Sequence, residues 1–211
     1  MASFASGARP PEGGQGAGIT HLLYLHGFRS SPKSFKAQRL QAWLRQHRPE
    51  LHWCCPQLPP SPREAVAMLR DGIAGWPAEG SAVLGSSLGG FYATVVAEAT
   101  GWPAVLMNPA IDPARDLAAY VGELTAFHTP EEHFFFRSEY VDELRTMSPG
   151  PITRPQRYFD VIAKGDEVLD WREMVARYPG ANIRLLEDGD HALTDFDEHQ
   201  PHILKFLQLC D

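Results

Sequence analysis

Residues 83–93, VLGSSLGGFYA, set Ser87 between Gly85 and Gly89, where an apolar run with strand character passes into one with helix character. The Gly-x-Ser-x-Gly spacing suits a sharp strand-to-helix corner, because the two glycines leave no side chains to collide across the turn. Such a corner exposes a serine hydroxyl, often at the cost of backbone strain. A hydroxyl near neutral pH is a poor nucleophile, so it requires a base within hydrogen-bond reach and an acid to orient that base. Two later stretches supply these types. AKGDEVLD carries Asp166, and EDGDHALTDF carries His191, each just beyond an apolar run. The chemistry expected of this trio is acyl transfer, with Ser87 as nucleophile, His191 as base and Asp166 as the orienting acid. Donors for the developing oxyanion are expected at the N–H of Leu88, which follows the serine, and at the N–H of Phe28 in LYLHGF, where Gly27 permits close approach of the backbone. His26 is expected to hold that loop by hydrogen bonding.

Such residues need a scaffold that brings distant loops together. Short apolar runs at 21–25, 51–55, 81–85, 103–108, 157–165 and 182–188 alternate with amphipathic stretches at 34–48, 61–76, 88–100, 170–178 and about 197–209. Ser61, Pro62 and Glu64 form a helix-start signature with a capping box. Alternation of this kind predicts βαβ units and a mainly parallel six-stranded sheet covered by helices on both faces. Ligands in such sheets bind beyond the carboxyl ends of the strands, and all three chemical residues fall there. A less regular tract, about 109–155, reads as a small cap inserted after the fourth strand. It is rich in aromatics and carries a further helix start, TPEE, at 129–132. Phe134–Phe136 suit either an acyl pocket or ordinary packing within the cap. The Gly/Ala/Pro-rich residues 1–18 read as a flexible leader, and 19–211 as a single domain.

The bulk properties narrow the classes further. With 44% hydrophobic and 21% charged residues over 211 positions, the chain has the composition of a globular protein with a sizeable core. A formal charge of −7 disfavours nucleic acid and anionic lipid as general partners. No apolar run approaches the ~20 residues of a membrane span. The cysteines, Cys54, Cys55 and Cys210, suit inert thiols in a reducing cytoplasm. DGDH offers no second ligand at metal spacing, and GSSLGG lacks the Lys-Ser/Thr ending of a phosphate loop, so neither a metal site nor a nucleotide-phosphate loop is expected.

LLYLHGFRSSPKSFKA, PQLPPSPREA, VLGSSLGGFYAT, GDEVLDW and GDHALTDF, taken together and in order from about Leu22 to the C-terminus, resemble the YqiA-like esterases, a branch of the α/β-hydrolases. The resemblance implies a compact α/β-hydrolase fold and a carboxylic-ester hydrolase without metal or organic cofactor. Acyl esters and acyl thioesters such as acyl-CoA are the small-molecule substrates it implies. It carries the nucleophile to Ser87, the acid to Asp166 and the base to His191. Only the leader departs from the family pattern.

Several assignments have competitors. Asp170 suits the start of a helix, and Asp188 and Asp190 suit a turn around Gly189, so Asp166 is preferred for its place after a different strand from His191. Ser86 reads as a packing residue. At the level of function, the alternatives are a hydrolase of acylated proteins or peptides and a binding protein that keeps the fold without catalysis. The oligomeric state is not legible in the sequence.

Overall fold

The computed structural model describes residues 18–127, 131 and 133–210. Residues 1–17 of the leader expected over 1–18, and most of the TPEE helix start, lie outside these. Six strands, β1 (His21–Leu25), β2 (His52–Cys54), β3 (Ser81–Ser86), β4 (Ala104–Met107), β7 (Tyr158–Ala163) and β8 (Asn182–Leu186), form one parallel sheet in the order β2-β1-β3-β4-β7-β8. Helices α1 (Phe35–His47), α2 (Pro62–Ile73), α3 (Leu88–Thr100), α6 (Trp171–Arg177) and α7 (Phe196–Phe206) connect or close them. All six strands and all five helices coincide with stretches expected from the apolar pattern.

The reason is burial on both faces. The central strands are enclosed throughout, so they are written as unbroken apolar runs. Side-chain direction still alternates along them. Leu23, Leu25, Val83 and Leu106 join one cluster with Ala65 and Leu69 of α2 and with Phe91 and Val96 of α3. Leu22, Leu84, Val105 and Met107 face the opposite way and pack with Leu40 and Leu44 of α1 and with Phe196 and Ile203 of α7.

Between β4 and β7 the chain builds α4 (Pro113–Leu117), a 3-10 turn (Ala118–Tyr120), strands β5 (Gly122–Thr125) and β6 (His133–Phe136), α5 (Ser138–Met147) and a second 3-10 turn (Pro155–Arg157). β5 and β6 pair antiparallel, Gly122 opposite Phe136 and Thr125 opposite His133. The residues after TPEE form β6, and the next described helix begins at Ser138. The capping box at Ser61 is half formed. Ser61 Oγ accepts the Glu64 N–H, but it donates to Glu143 of α5, which also accepts the Arg63 N–H and so ties α2 to the insertion.

All three cysteines are free thiols, and burial pushes the Cys55 thiol up to about 12. Among the described residues no helix is long and apolar enough to cross a membrane.

Candidate active site

The sheet order reverses between β1 and β3: the chain runs outward from β1 to β2 and returns on the other side of β1. A crevice opens at such a switch point, beyond the carboxyl ends of the two strands. Ser87, at the end of β3, and Gly27-Phe28, just after β1, both sit there.

Ser87 adopts φ 57° and ψ −123°, a conformation costly for a residue with a side chain. The surrounding backbone holds it in place. Its N–H donates to Met107 O at 3.1 Å, and its carbonyl accepts from Gly90 N at 2.8 Å and Ala110 N at 3.0 Å. The flanking glycines are a steric requirement. A Cβ on Gly85 would overlap the Gly89 carbonyl, and one on Gly89 would overlap the Leu25 carbonyl. The motif therefore encodes close contact of β1, β3 and the first turn of α3.

The three residues expected to act together do meet. Ser87 Oγ lies 3.0 Å from His191 Nε2, and His191 Nδ1 lies 2.7 Å from Asp166 Oδ2. With the proton on Nδ1 facing the carboxylate, the Nε2 lone pair is left to receive the Ser87 hydroxyl. Asp166 is fully enclosed, with no side-chain exposure, while the His191 side chain retains 20%. Burying a carboxylate demands compensation. It comes from the N–H groups of Val168 and Leu169, each 2.8 Å from Asp166 Oδ1. The competing acids are occupied elsewhere: Asp170 caps α6 through the Arg172 N–H, and Asp190 accepts from Thr194 N and Oγ1.

Among the described residues, neither the Phe28 nor the Leu88 N–H is given to a protein acceptor. His26 braces their loop. Leu58 N–H donates to His26 Nε2 at 3.1 Å, which leaves the ring proton on Nδ1 facing Gly27 O at 3.0 Å. The Phe28 ring reaches into the insertion and meets Tyr120, Phe134 and Phe136 edge-on. Arg29 adds a second tie, donating through Nε to Thr125 O at 2.8 Å and accepting the Phe127 N–H at its carbonyl.

Three further residues bear on the site without a sequence signal. Asn108, fully buried at the end of β4, accepts Ala163 N–H and donates to the carbonyls of Asp190 and His191. Glu167 accepts the backbone N–H of His191 at 3.0 Å. Lys36 of α1 donates through Nζ to the Ala192 carbonyl. Two cavities flank Gly27-Phe28. One of about 530 Å³ is walled by Leu58, Met68, Leu88, Tyr92 and Phe134. The other, about 410 Å³, contains Ser87 and His191 together with Phe35, Lys36 and Phe127. Phe136, by contrast, is core, and Phe135 is exposed. No group of three or more His, Cys, Asp or Glu side chains is arranged to hold a metal among the described residues.

Solved structures share this architecture at low identity. Mouse alpha/beta hydrolase domain-containing protein 10 is similar over 92% of this chain and 92% of its own, with a TM-score of 0.65 and 15% identity. Est1E from Butyrivibrio proteoclasticus is similar over 91% and 88%, at 0.63 and 14%. A structure of the metagenome-derived lipolytic pair LipS and LipT is similar over 92% and 96%, at 0.66 and 16%. These likenesses establish the α/β-hydrolase fold. The family profile described as "Uncharacterised protein family (UPF0227)" matches residues 21–208, so the chain belongs to that family, the YqiA family.

Proposed function

We propose that this protein is a serine carboxylic-ester hydrolase. The observation that carries the reading is the contact series from Ser87 Oγ to His191 Nε2 and from His191 Nδ1 to Asp166. In the first half-reaction His191 takes the Ser87 proton as Oγ bonds to the acyl carbon. The Phe28 and Leu88 N–H groups receive the oxyanion, and Asp166 stabilises the imidazolium. The bond to the leaving alcohol or thiol then breaks, and His191 returns the proton to it. Water enters by the same route: His191 takes its proton, its oxygen bonds to the acyl carbon, and the carboxylic acid departs as Ser87 Oγ is reprotonated.

The apolar cavity beside Leu88 suits the acyl chain, since it adjoins the oxyanion donors and offers aliphatic and aromatic walls. Acyl thioesters, acyl-CoA among them, are included in the proposed substrate class. Residues 19–211 are proposed to act as one unit, with 109–155 as its cap. The esterase and lipolytic names of the structural neighbours agree with this reading, and the free thiols agree with a cytoplasmic setting.

The test is a panel of p-nitrophenyl esters, acyl-CoAs and acyl-peptides with intact protein and with Ser87→Ala, accompanied by a fluorophosphonate probe. Labelling and turnover are both expected, and both should vanish in the variant. Folded protein that resists the probe and leaves every ester intact would favour a binding role for the same fold.

A further inference from the structure

The cavity that holds Ser87 and His191 has one wall that ester hydrolysis does not use. Lys36, second residue of α1, is 8% exposed and is among the residues that line this cavity. Of its three N–H groups, one is given to the Ala192 carbonyl. No other acceptor among the described residues completes a hydrogen bond with Nζ, and no carboxylate there pairs with it. The two acids whose fields reach it are committed. Asp166 is held by His191 and two backbone N–H groups, and Asp190 by Thr194. Burial lowers the Lys36 pKa to about 8, which keeps it cationic at neutral pH.

A second observation lies beside it. Ser34, another residue of the cavity lining, keeps its Oγ buried beside the Tyr24 phenol without completing a hydrogen bond. A buried hydroxyl without a partner is costly, and so is a buried ammonium with donors to spare. Both costs disappear when one ligand oxygen cluster occupies the same end of the cavity.

We propose that Lys36 and Ser34 form a subsite for a compact oxyanion of the substrate, with a carboxylate as its simplest form. A carboxylate accepts from the Lys36 ammonium and from the Ser34 hydroxyl, while the rest of the substrate extends toward Ser87 in the same cavity. A phosphate offers the same oxygens with more charge. The substrate class implied is an ester or thioester that bears an acidic group close to the scissile bond. Only the turnover arm of the test rests on the hydrolase reading.

That arm compares matched substrates in wild type, Lys36→Met and Ser34→Ala. Mono-p-nitrophenyl glutarate against p-nitrophenyl pentanoate places the carboxylate on the acyl side. Butyryl glycolate against ethyl butyrate places it on the leaving side. A charge-assisted contact predicts a kcat/KM preference of about tenfold or more for the acidic member of one pair. Lys36→Met should abolish that preference and Ser34→Ala reduce it. A merely structural role at the Ala192 carbonyl would slow both members equally and leave the ratio unchanged. The binding arm measures glutarate and inorganic phosphate by calorimetry with wild type, Ser87→Ala and Lys36→Met. Binding that survives Ser87→Ala and is lost in Lys36→Met upholds the subsite even if no ester is turned over. Turnover of neutral esters without an acidic preference in either pair, together with no Lys36-dependent binding, overturns it while leaving the hydrolase reading intact.

Discussion

Asn108→Ala offers a demanding test of how the site is held, because no motif marks this residue. Its Oδ1 accepts the Ala163 N–H at 2.8 Å, and its Nδ2 donates to Asp190 O at 3.0 Å and His191 O at 3.2 Å. It also sits at φ 42°, in the left-handed region. Truncation orphans the enclosed Ala163 N–H, at about 1–3 kcal/mol, and loses two partly exposed carbonyl contacts worth ~0.5–1 kcal/mol each. An alanine at positive φ adds roughly 1 kcal/mol. The sum, about 3–6 kcal/mol, is large against the ~5–15 kcal/mol of an ordinary domain. With a urea slope of ~2–3 kcal/mol/M, the unfolding midpoint should fall by about 1–3 M. Activity should suffer separately, since the lost donations free the loop that carries the imidazole, and misplacement near 1 Å costs ~10²-fold. Ester turnover by folded protein should therefore show a lower kcat with KM little changed. Asn108→Asp divides the two roles: it keeps an acceptor for Ala163 N–H but turns a carboxylate oxygen on the two carbonyls. Wild-type kcat in Asn108→Asp, or an unmoved midpoint in Asn108→Ala, would refute the argument.

Other outcomes are equally concrete. Asp166→Asn should preserve folding and lower kcat by ~10⁴, as an imidazole with the wrong tautomer cannot accept the serine proton; a loss below tenfold would reassign the acid. Gly27→Ala brings a Cβ to 3.2 Å from the Ser87 Cβ. Its turnover should drop about tenfold for a shift of a few tenths of an ångström, with little change in melting temperature. Asp160, buried in β7 with neither carboxyl oxygen hydrogen-bonded, has its pKa raised well above the carboxylate range by desolvation. Its neutral form is thus the one folding favours, and stability drains as pH rises beyond the unfolded value of ~3.9. Asp160→Asn should out-melt wild type at pH 8 and converge with it toward pH 4; a gap independent of pH would refute this. The acidic-substrate preference should fade above pH 8 as Lys36 discharges, with Asp166 and Asp190 the acids facing it.

The sheet is readable because enclosed parallel strands are mostly apolar, and the corner because only glycine fits at Gly85 and Gly89. Asp166 and His191 could be found from their places after β7 and β8. The β5–β6 pair was not legible. GELT and HFFF are four residues each, without alternation, and their pairing depends on neighbours across an intervening loop. α5 does carry a signal, with Tyr140, Val141, Leu144 and Met147 at helical spacing. Asn108 and Lys36 lie beyond such signals. Their partners are 55 to 156 positions away, and a lysine on an amphipathic helix normally marks a solvated face.

The aromatic seat of Phe28 has a mechanical consequence. The residue proposed to offer an N–H to the reacting carbonyl also plants its ring among Tyr120, Phe134 and Phe136. A displacement of β5 and β6 would therefore carry the Phe28 backbone with it. Under the proposed mechanism, the alignment of that donor depends on how firmly the insertion grips the ring.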